Sequence, residues 1–307
     1  MKRTKRVLLL LMVLILAAGF PAVNVSAANT RSEVLYVGED FTYDFYFMGK
    51  ILKVTYSNKK VATTIKIEDN TLHFKAKAIG TTTITVKGEK YTYKIKLTVK
   101  KMDVTASFVK KLQDGTYLVK IKNNMKKVFV ESASFAAVLQ SADGEFLEFS
   151  GISASALNPG ATVYKAFRPN EDYEADLSKS KLVLDGFEIE RGEGIKFSDC
   201  TAKMIVTDTT GGKITPGDSE ITFKIKSKAS DPASTYYTVM WYDAAGKTIT
   251  VEDKYHGDIS PKEECEISAY PPKQEYGPVS YKLAVRAYSK VYPTPNLDNF
   301  DIPHVKE

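Results

Sequence analysis

The chain has 307 residues, 43% of them hydrophobic and 26% charged, an ordinary balance for a soluble globular protein with room for two or three domains. Its formal charge of +6 falls to about +2 once four cations near the N-terminus are set aside, too modest a charge for a nucleic-acid surface. Eighteen Tyr and fifteen Phe, with Val, Ile and Thr in alternating runs, favour strands.

Lys2, Arg3, Lys5 and Arg6 precede an uncharged apolar run from Val7 to Phe20, and Val25-Ser26-Ala27 supplies small residues at a cleavage site. This is the layout of a secretory signal peptide over residues 1–27, with the mature chain starting at Ala28. The run is shorter than the roughly 20 residues a spanning helix needs, so no transmembrane segment is expected in the mature chain. No cysteine stands at the cleavage site for a lipid anchor, and no sorting-type motif closes the chain. The expected location is therefore secreted, with cell-surface association open.

Charge is uneven along the remainder. Residues 31–101 hold 14 Lys/Arg against 7 Asp/Glu, and residues 102–307 hold 25 against 30. A basic front and an acidic rear can orient a protein on an anionic surface; the plainer reading is a solvated face on each module.

From Glu33 to Lys101 the pattern alternates. In Tyr91-Thr92-Tyr93-Lys94-Ile95-Lys96-Leu97-Thr98-Val99-Lys100 the odd positions are apolar and the even ones Thr or Lys, which puts one face on a core and the other in water. Thr82 to Lys87 repeats the pattern, and Gly88-Glu89-Lys90 turns between the two, predicting a hairpin. Leu35-Tyr36-Val37-Gly38, Ser57-Asn58 with Val61-Ala62, Ala78-Ile79-Gly80-Thr81-Thr82-Thr83-Ile84-Thr85-Val86 and Leu97-Thr98-Val99 stand in the order and spacing of the bacterial Ig-like group 2 domain, which residues 28–101 resemble. The resemblance implies an extracellular spacer or adhesion module and brings no catalytic residue.

The rest of the chain repeats itself. Lys120-Ile121-Lys122 matches Lys224-Ile225-Lys226, and Gly144, Pro159 and Pro169 match Gly246, Pro261 and Pro271 at a constant offset of 102. A period near 100 suits tandem sandwiches, here residues 102–196 and 197–292. Phe135, Ala137 and Leu139 in the first copy, and Tyr237, Val239 and Trp241 in the second, share one face of a strand and should point to a core. Gly144 and Gly246 then supply the positive φ of a hairpin turn. Val239-Met240-Trp241-Tyr242-Asp243, followed by Gly246-Lys247 and Pro261, resembles the extracellular FxLYD-type β-sandwich module; the first copy keeps only Leu139 of that motif and follows through the repeat. Residues 293–307, with Pro293, Pro295 and Pro303, read as an irregular tail. The expected fold is all-β, three tandem β-sandwich (Ig-like) modules after a signal peptide.

No local constellation carries catalytic chemistry. His73, His256 and His304 share no motif with each other or with Cys, so no zinc spacing exists, and no cofactor is expected. The acidic stretches 170–176 and 252–258 read as solvated loops, because calcium loops alternate their ligands more strictly around a glycine. The only two cysteines, Cys200 and Cys265, align with Val104 and Val163 of the first copy and should be buried. Two alternatives stand: a disulfide, allowed outside the cell and worth roughly 4 kcal/mol in the chain-entropy model, or two separate thiols acting as small hydrophobes. On the Trp241 strand Tyr236 and Tyr242 form the outward pair, either ligand-facing aromatics that stack on sugar rings or half-buried strand tyrosines. The sequence thus points to a non-catalytic binding, adhesion or spacer protein, with a carbohydrate-binding accessory protein or an envelope component as the alternatives. The expected partner is a cell-wall polymer, glycan or surface protein.

Overall fold

The computed structural model describes residues 30–291 apart from 172, 190–194 and 216. The signal peptide, the tail and His304 lie outside the described residues. The chain divides after Met102 into two compact units, and the only helical elements among the described residues are three short 3-10 turns.

The first unit holds β1 (Thr30–Tyr36), β2 (Asp40–Asp44), β3 (Ile51–Tyr56), β4 (Ala62–Glu68), β5 (Thr71–Ala76), β6 (Gly80–Gly88) and β7 (Thr92–Lys100). They form sheets β1-β7-β6-β3 and β2-β5-β4. The expected hairpin is β6–β7, in antiparallel register from Gly80↔Val99 to Lys87↔Thr92. Its alternation works as read: Ile95, Leu97 and Val99 are buried with Ile84, Val86, Leu35, Phe45 and Phe74, while Lys94 and Lys96 are exposed. Tyr91 departs from the pattern and is exposed, since it precedes the strand. β1 pairs with β7 in parallel, Thr30↔Lys94 through Tyr36↔Lys100, a pairing that alternation alone cannot specify.

The second unit opens with β8 (Val104–Lys111), β9 (Tyr117–Asn123), β10 (Val130–Gln140), β11 (Phe146–Leu157), β12 (Thr162–Phe167) and β13 (Lys181–Glu188). It continues with β14 (Lys196–Asp199), β15 (Met204–Thr207), β16 (Ile221–Ser227), β17 (Ala233–Tyr242), β18 (Thr248–Ile259), β19 (Glu264–Ala269) and β20 (Ser280–Val291). The sheets are β11-β10-β13 and β12-β9-β8, then β14-β20-β17-β18 and β15-β16-β19. The two halves therefore share one strand order, with β14 added at an edge of the later one. Both pairs of sheets belong to a single compact unit.

Within each half the predicted core faces point inward. Phe135, Ala137 and Leu139 are buried, as are Tyr237, Val239 and Trp241. Trp241 packs against Tyr281 at 5.6 Å and among Phe223, Ile225 and Ile249. Gly144 and Gly246 turn β10 into β11 and β17 into β18 at φ +84° and +74°. Register corrects one alignment. Val104 pairs with Asn123 and Met204 with Ser227, so Val104 corresponds to Met204 and not to Cys200. Cys200 instead follows β14, directly before a 3-10 turn at Thr201–Lys203 that has no counterpart among the described residues of the first half.

The matched prolines sit in matched turns. Ala161 N–H bonds the Asn158 carbonyl at 2.9 Å and Glu263 N–H bonds the Ser260 carbonyl at 3.1 Å. The third turn residue has positive φ in both, +77° at Gly160 and +69° at Lys262, as a type II turn demands. Glycine adopts that conformation freely; an L side chain is strained by about 1 kcal/mol or more. Lys262→Gly is accordingly expected to raise stability by a few tenths to about 1 kcal/mol, and Gly160→Lys to lower it by about 1 kcal/mol. Urea unfolding followed by the fluorescence of Trp241, the single tryptophan, measures both.

Candidate functional site

Strand alternation gives each sheet a face turned away from its own core. In β17 that face carries Tyr236, Thr238, Met240 and Tyr242. Its neighbours in register are Tyr255, Asp253 and Val251 of β18 and Arg286, Ala284 and Lys282 of β20. The centre of this outer face is covered, while Tyr255, Lys282 and Ala284 stay exposed around it. The outer face of β12-β9-β8 lies on it, with Met240 and Val251 packed against Leu112, Leu118, Tyr164 and Ala166.

Polar bonds frame that apolar centre. Lys110 Nζ donates to Thr248 Oγ1 at 3.0 Å and Gln113 Nε2 to Asp243 Oδ2 at 2.5 Å. Asn158 Nδ2 donates to the Ala287 carbonyl at 3.4 Å. Phe129 stacks on Phe197 at 4.5 Å. The two halves are thus locked together by sheet packing as well as by the chain.

Asp253 and Arg286 face each other inside the junction, with side chains 3% and 11% exposed. Their contact is bidentate: Nη1 meets Oδ1, and Nη2 donates to Oδ2 at 2.9 Å. Thr238 Oγ1 donates to Asp253 Oδ1 at 2.8 Å, Lys165 Nζ stands 3.7 Å from Oδ2, and the guanidinium lies 4.6 Å from the Tyr236 ring centroid. Arg286 also donates to the Ser155 carbonyl at 3.4 Å, while its Nε is buried with no hydrogen-bond partner.

Beside this pair the two halves leave a cleft of about 520 Å³, within the range of small-ligand sites. Tyr164, Thr162 and Asn158 line it from the first half; Thr201, Thr238, Met240, Lys282, Ala284 and Arg286 line it from the second. Polar groups from both halves therefore converge there. Asp253 is committed to Arg286, and the Thr201 hydroxyl is bonded to the Ala287 backbone; the cleft presents the Lys282 ammonium, the Thr162 hydroxyl and the Asp199 carboxylate, which already accepts from the Thr201 N–H, around an apolar floor.

Tyr236 and Tyr242 do face away from their sandwich core, but both are half-buried. Tyr236 lies between Arg286 and Tyr255, the latter ring at 4.9 Å. Burial, with Tyr288 and Tyr255 adding to it and Arg286 opposing, pushes its hydroxyl up to about 12. Tyr242 stacks under Lys282 Nζ at 5.7 Å. Sequence reasoning missed Thr238, Met240, Asp253 and Arg286, whose one visible signal was apolar Met240 and Val251 at outward positions.

Residues 252–258, read as a loop, lie within the later part of β18; their carboxylates are side chains of a paired strand. In the other acidic stretch Glu174 pairs with Lys111 at 2.8 Å and Asp176 accepts from Ser178. Among the described residues no three His, Cys, Asp or Glu side chains stand together as metal ligands. Cys200 and Cys265 are free thiols. Cys200 is buried among Ala229, Ala233 and Ala287 and donates to Ser289 Oγ at 3.4 Å. Cys265, half-buried, packs on the Trp241 core, where burial and Glu263 push its thiol up.

The first unit offers a different surface. Lys53, Lys87, Lys94 and Lys96 are exposed on the outward rows of β3, β6 and β7, interleaved with Thr55, Thr83 and Thr85.

Fold and cleft together define a tandem β-sandwich protein. No family model matches the chain, and no curated protein matches it. Among solved structures it is similar to the C-terminal globular domain of an oligosaccharyltransferase from Pyrococcus abyssi, at 8% identity and a TM-score of 0.15, over 76% of this chain and 51% of that one. It is also similar to SGBP-B of the Bacteroides ovatus mixed-linkage glucan utilization locus, in complex with a mixed-linkage heptasaccharide, at 8% identity and a TM-score of 0.18, over 86% and 75%. The chain spans about half the length of the first of these structures.

Two expectations follow from the junction. Removing one partner of a buried ion pair strands the other charge, so Asp253→Ala is expected to cost about 3–5 kcal/mol, and the double change Asp253→Leu with Arg286→Met to recover most of it; urea titration by Trp241 fluorescence gives the cycle. Asp243 is held below its ordinary carboxylate range, chiefly by the Lys247 N–H and then by Gln113. A depressed carboxylate contributes stability above its unfolded value, near 3.8, and loses it as pH falls through the folded value. Asp243→Asn should therefore flatten the fall of the urea midpoint between about pH 5 and about pH 2.

Proposed function

We propose that the protein is a secreted, non-catalytic bacterial binding protein whose ligand is held in the cleft between the two joined sandwiches. The carrying observation is that cleft: about 520 Å³, walled by two halves whose junction buries the Asp253–Arg286 pair of the second against Lys165 and the Ser155 carbonyl of the first. A pre-formed site costs less ordering on binding than one assembled by loops. Lys282 and Thr162 give its rim donors for hydroxyls and Asp199 an acceptor, and Tyr164 and Met240 give a floor for a sugar or another flat group. A glycan or wall-polymer segment fits this chemistry. In this reading the N-terminal residues direct export, the first unit is a bacterial Ig-like group 2 spacer, and the two sandwiches are FxLYD-like modules.

A second reading rests on the lysine–threonine face of the first unit, which favours an anionic wall polymer. Its binding would be electrostatic and exposed, and so screened by salt.

The test is binding of the mature chain to a glycan array and to whole cells at low and high salt. Ala284→Trp fills the cleft from an exposed position. Capture by the cleft is expected to resist salt and to fall about tenfold or more with Ala284→Trp, the thermal midpoint by circular dichroism being unchanged. Capture that disappears with salt and ignores Ala284→Trp selects the lysine face. Turnover of a polysaccharide or peptide by the pure protein, lost on changing one polar residue, would falsify the non-catalytic reading.

A further inference from the structure

The repeat makes the junction comparable with a surface on the same chain. With β10 laid on β17 at the offset of 102, Val138 corresponds to Met240 and Ala136 to Thr238. Register then sets Phe149 against Val251 and Val183 against Ala284: Val138 pairs with Phe149, and Ala136 with Val183, as Met240 pairs with Val251, and Thr238 with Ala284. The outer face of β11-β10-β13 is therefore the counterpart of the face that β12-β9-β8 covers in the second half.

In the second half the centre of that face is covered, with Thr238 and Val251 buried, while Ala284 and Lys282 stay exposed beside the cleft. In the first it is open and more apolar. Phe149 is 65% exposed, Phe146 63% and Val183 54%, around half-buried Val138 and Ala136. Contiguous exposed apolar surface of this kind marks an interaction site.

The chain does not repeat the covering face. Where Leu118, Tyr164 and Ala166 cover the junction, the corresponding positions on β16 and β19 are Thr222, Glu266 and Ser268. Lys224, Lys226 and Glu264 stand around them, all exposed. The end of the array is polar, as a terminal repeat is, and cannot supply the apolar complement that would extend the stack from copy to copy. The outward rows of β3, β6 and β7 carry Lys and Thr. Of these outward faces that of β11-β10-β13 carries the most open apolar side chains, with Lys181 at its edge beside Val138, where the others set single residues such as Leu52 and Ile205 among lysines, and an apolar face of this kind complements itself.

We infer that the outer face of β11-β10-β13 is a self-association surface, on which a second copy of this chain seats the same face about a two-fold axis. The packing continues what the junction already does: two sheet outer faces laid together at about 10 Å, with aromatic and aliphatic side chains interleaved. A two-fold contact closes on itself and stops at the dimer. It leaves the cleft free, because the cleft lies on the outer faces of β12 and β20.

Sedimentation velocity of the mature chain, from low micromolar to several hundred micromolar, tests this. The expected result is a concentration-dependent shift from monomer to dimer, with no larger species. Phe149→Glu and Val183→Glu lie at exposed positions and should leave the thermal midpoint unchanged while weakening the dimer about tenfold or more each. Ala284→Trp should leave it untouched, so this inference and the cleft reading fail separately. A monomer throughout the range, a dimer indifferent to both glutamates, or open-ended growth into larger species overturns the proposal.

Discussion

The junction of the two sandwiches is built over a charge pair that it keeps from water. Asp253 and Arg286 lie on adjacent rows of one sheet face, reaching diagonally across Thr238, and the covering sheet desolvates both. Such a pair is tolerated only when the geometry is good and remaining hydrogen-bonding capacity is used. Both conditions are nearly met: two guanidinium–carboxylate contacts, a hydroxyl on Oδ1, a lysine near Oδ2 and a tyrosine ring beside the guanidinium. Apolar packing of Met240 and Val251 on Leu118 and Tyr164 supplies attraction without direction. Direction across the junction comes from what the pair reaches on the other half, Lys165 beside Asp253 and the Ser155 carbonyl beside Arg286, and the cleft lies next to these contacts.

This arrangement gives the two copies different duties although they share a strand order. The first copy lends a face to the junction and keeps an apolar face outside. The second copy receives the junction and ends in a polar face. Divergence is concentrated on outward positions: Leu118 against Thr222, Tyr164 against Glu266, Ala136 against Thr238. Inward positions change less in kind, with Leu139 against Trp241 and Val119 against Phe223. Core positions must fill a closed volume, whereas outward positions answer only to what lies across from them.

The alternating runs made much of the fold legible. The β6–β7 hairpin, the buried rows of β10 and β17, and the turns at Gly144 and Gly246 all followed from period-2 patterning and turn chemistry. The junction did not, because polar residues at outward positions read as solvent-facing until a second sheet is known to cover them. For the same reason residues 252–258 passed for a loop: Glu252, Asp253, His256 and Asp258 lack the apolar alternation that announces a strand, and their register comes from pairing with β17. The shift of Val104 from Cys200 to Met204 arose because β14 and its turn have no counterpart in the first copy. Tyr236 and Tyr242 were placed on the correct side of their strand, but the sheet side alone could not reveal the covering partner.

The parallel pairing of β1 with β7 has a mechanical side. These strands stand near the beginning and the end of the first unit, and their hydrogen bonds run across both. Tension that enters at Thr30 and leaves at Lys100 pulls the two strands past each other along their length. The whole ladder from Thr30↔Lys94 to Tyr36↔Lys100 then bears the load together, where an antiparallel hairpin pulled at its open end gives way one rung at a time.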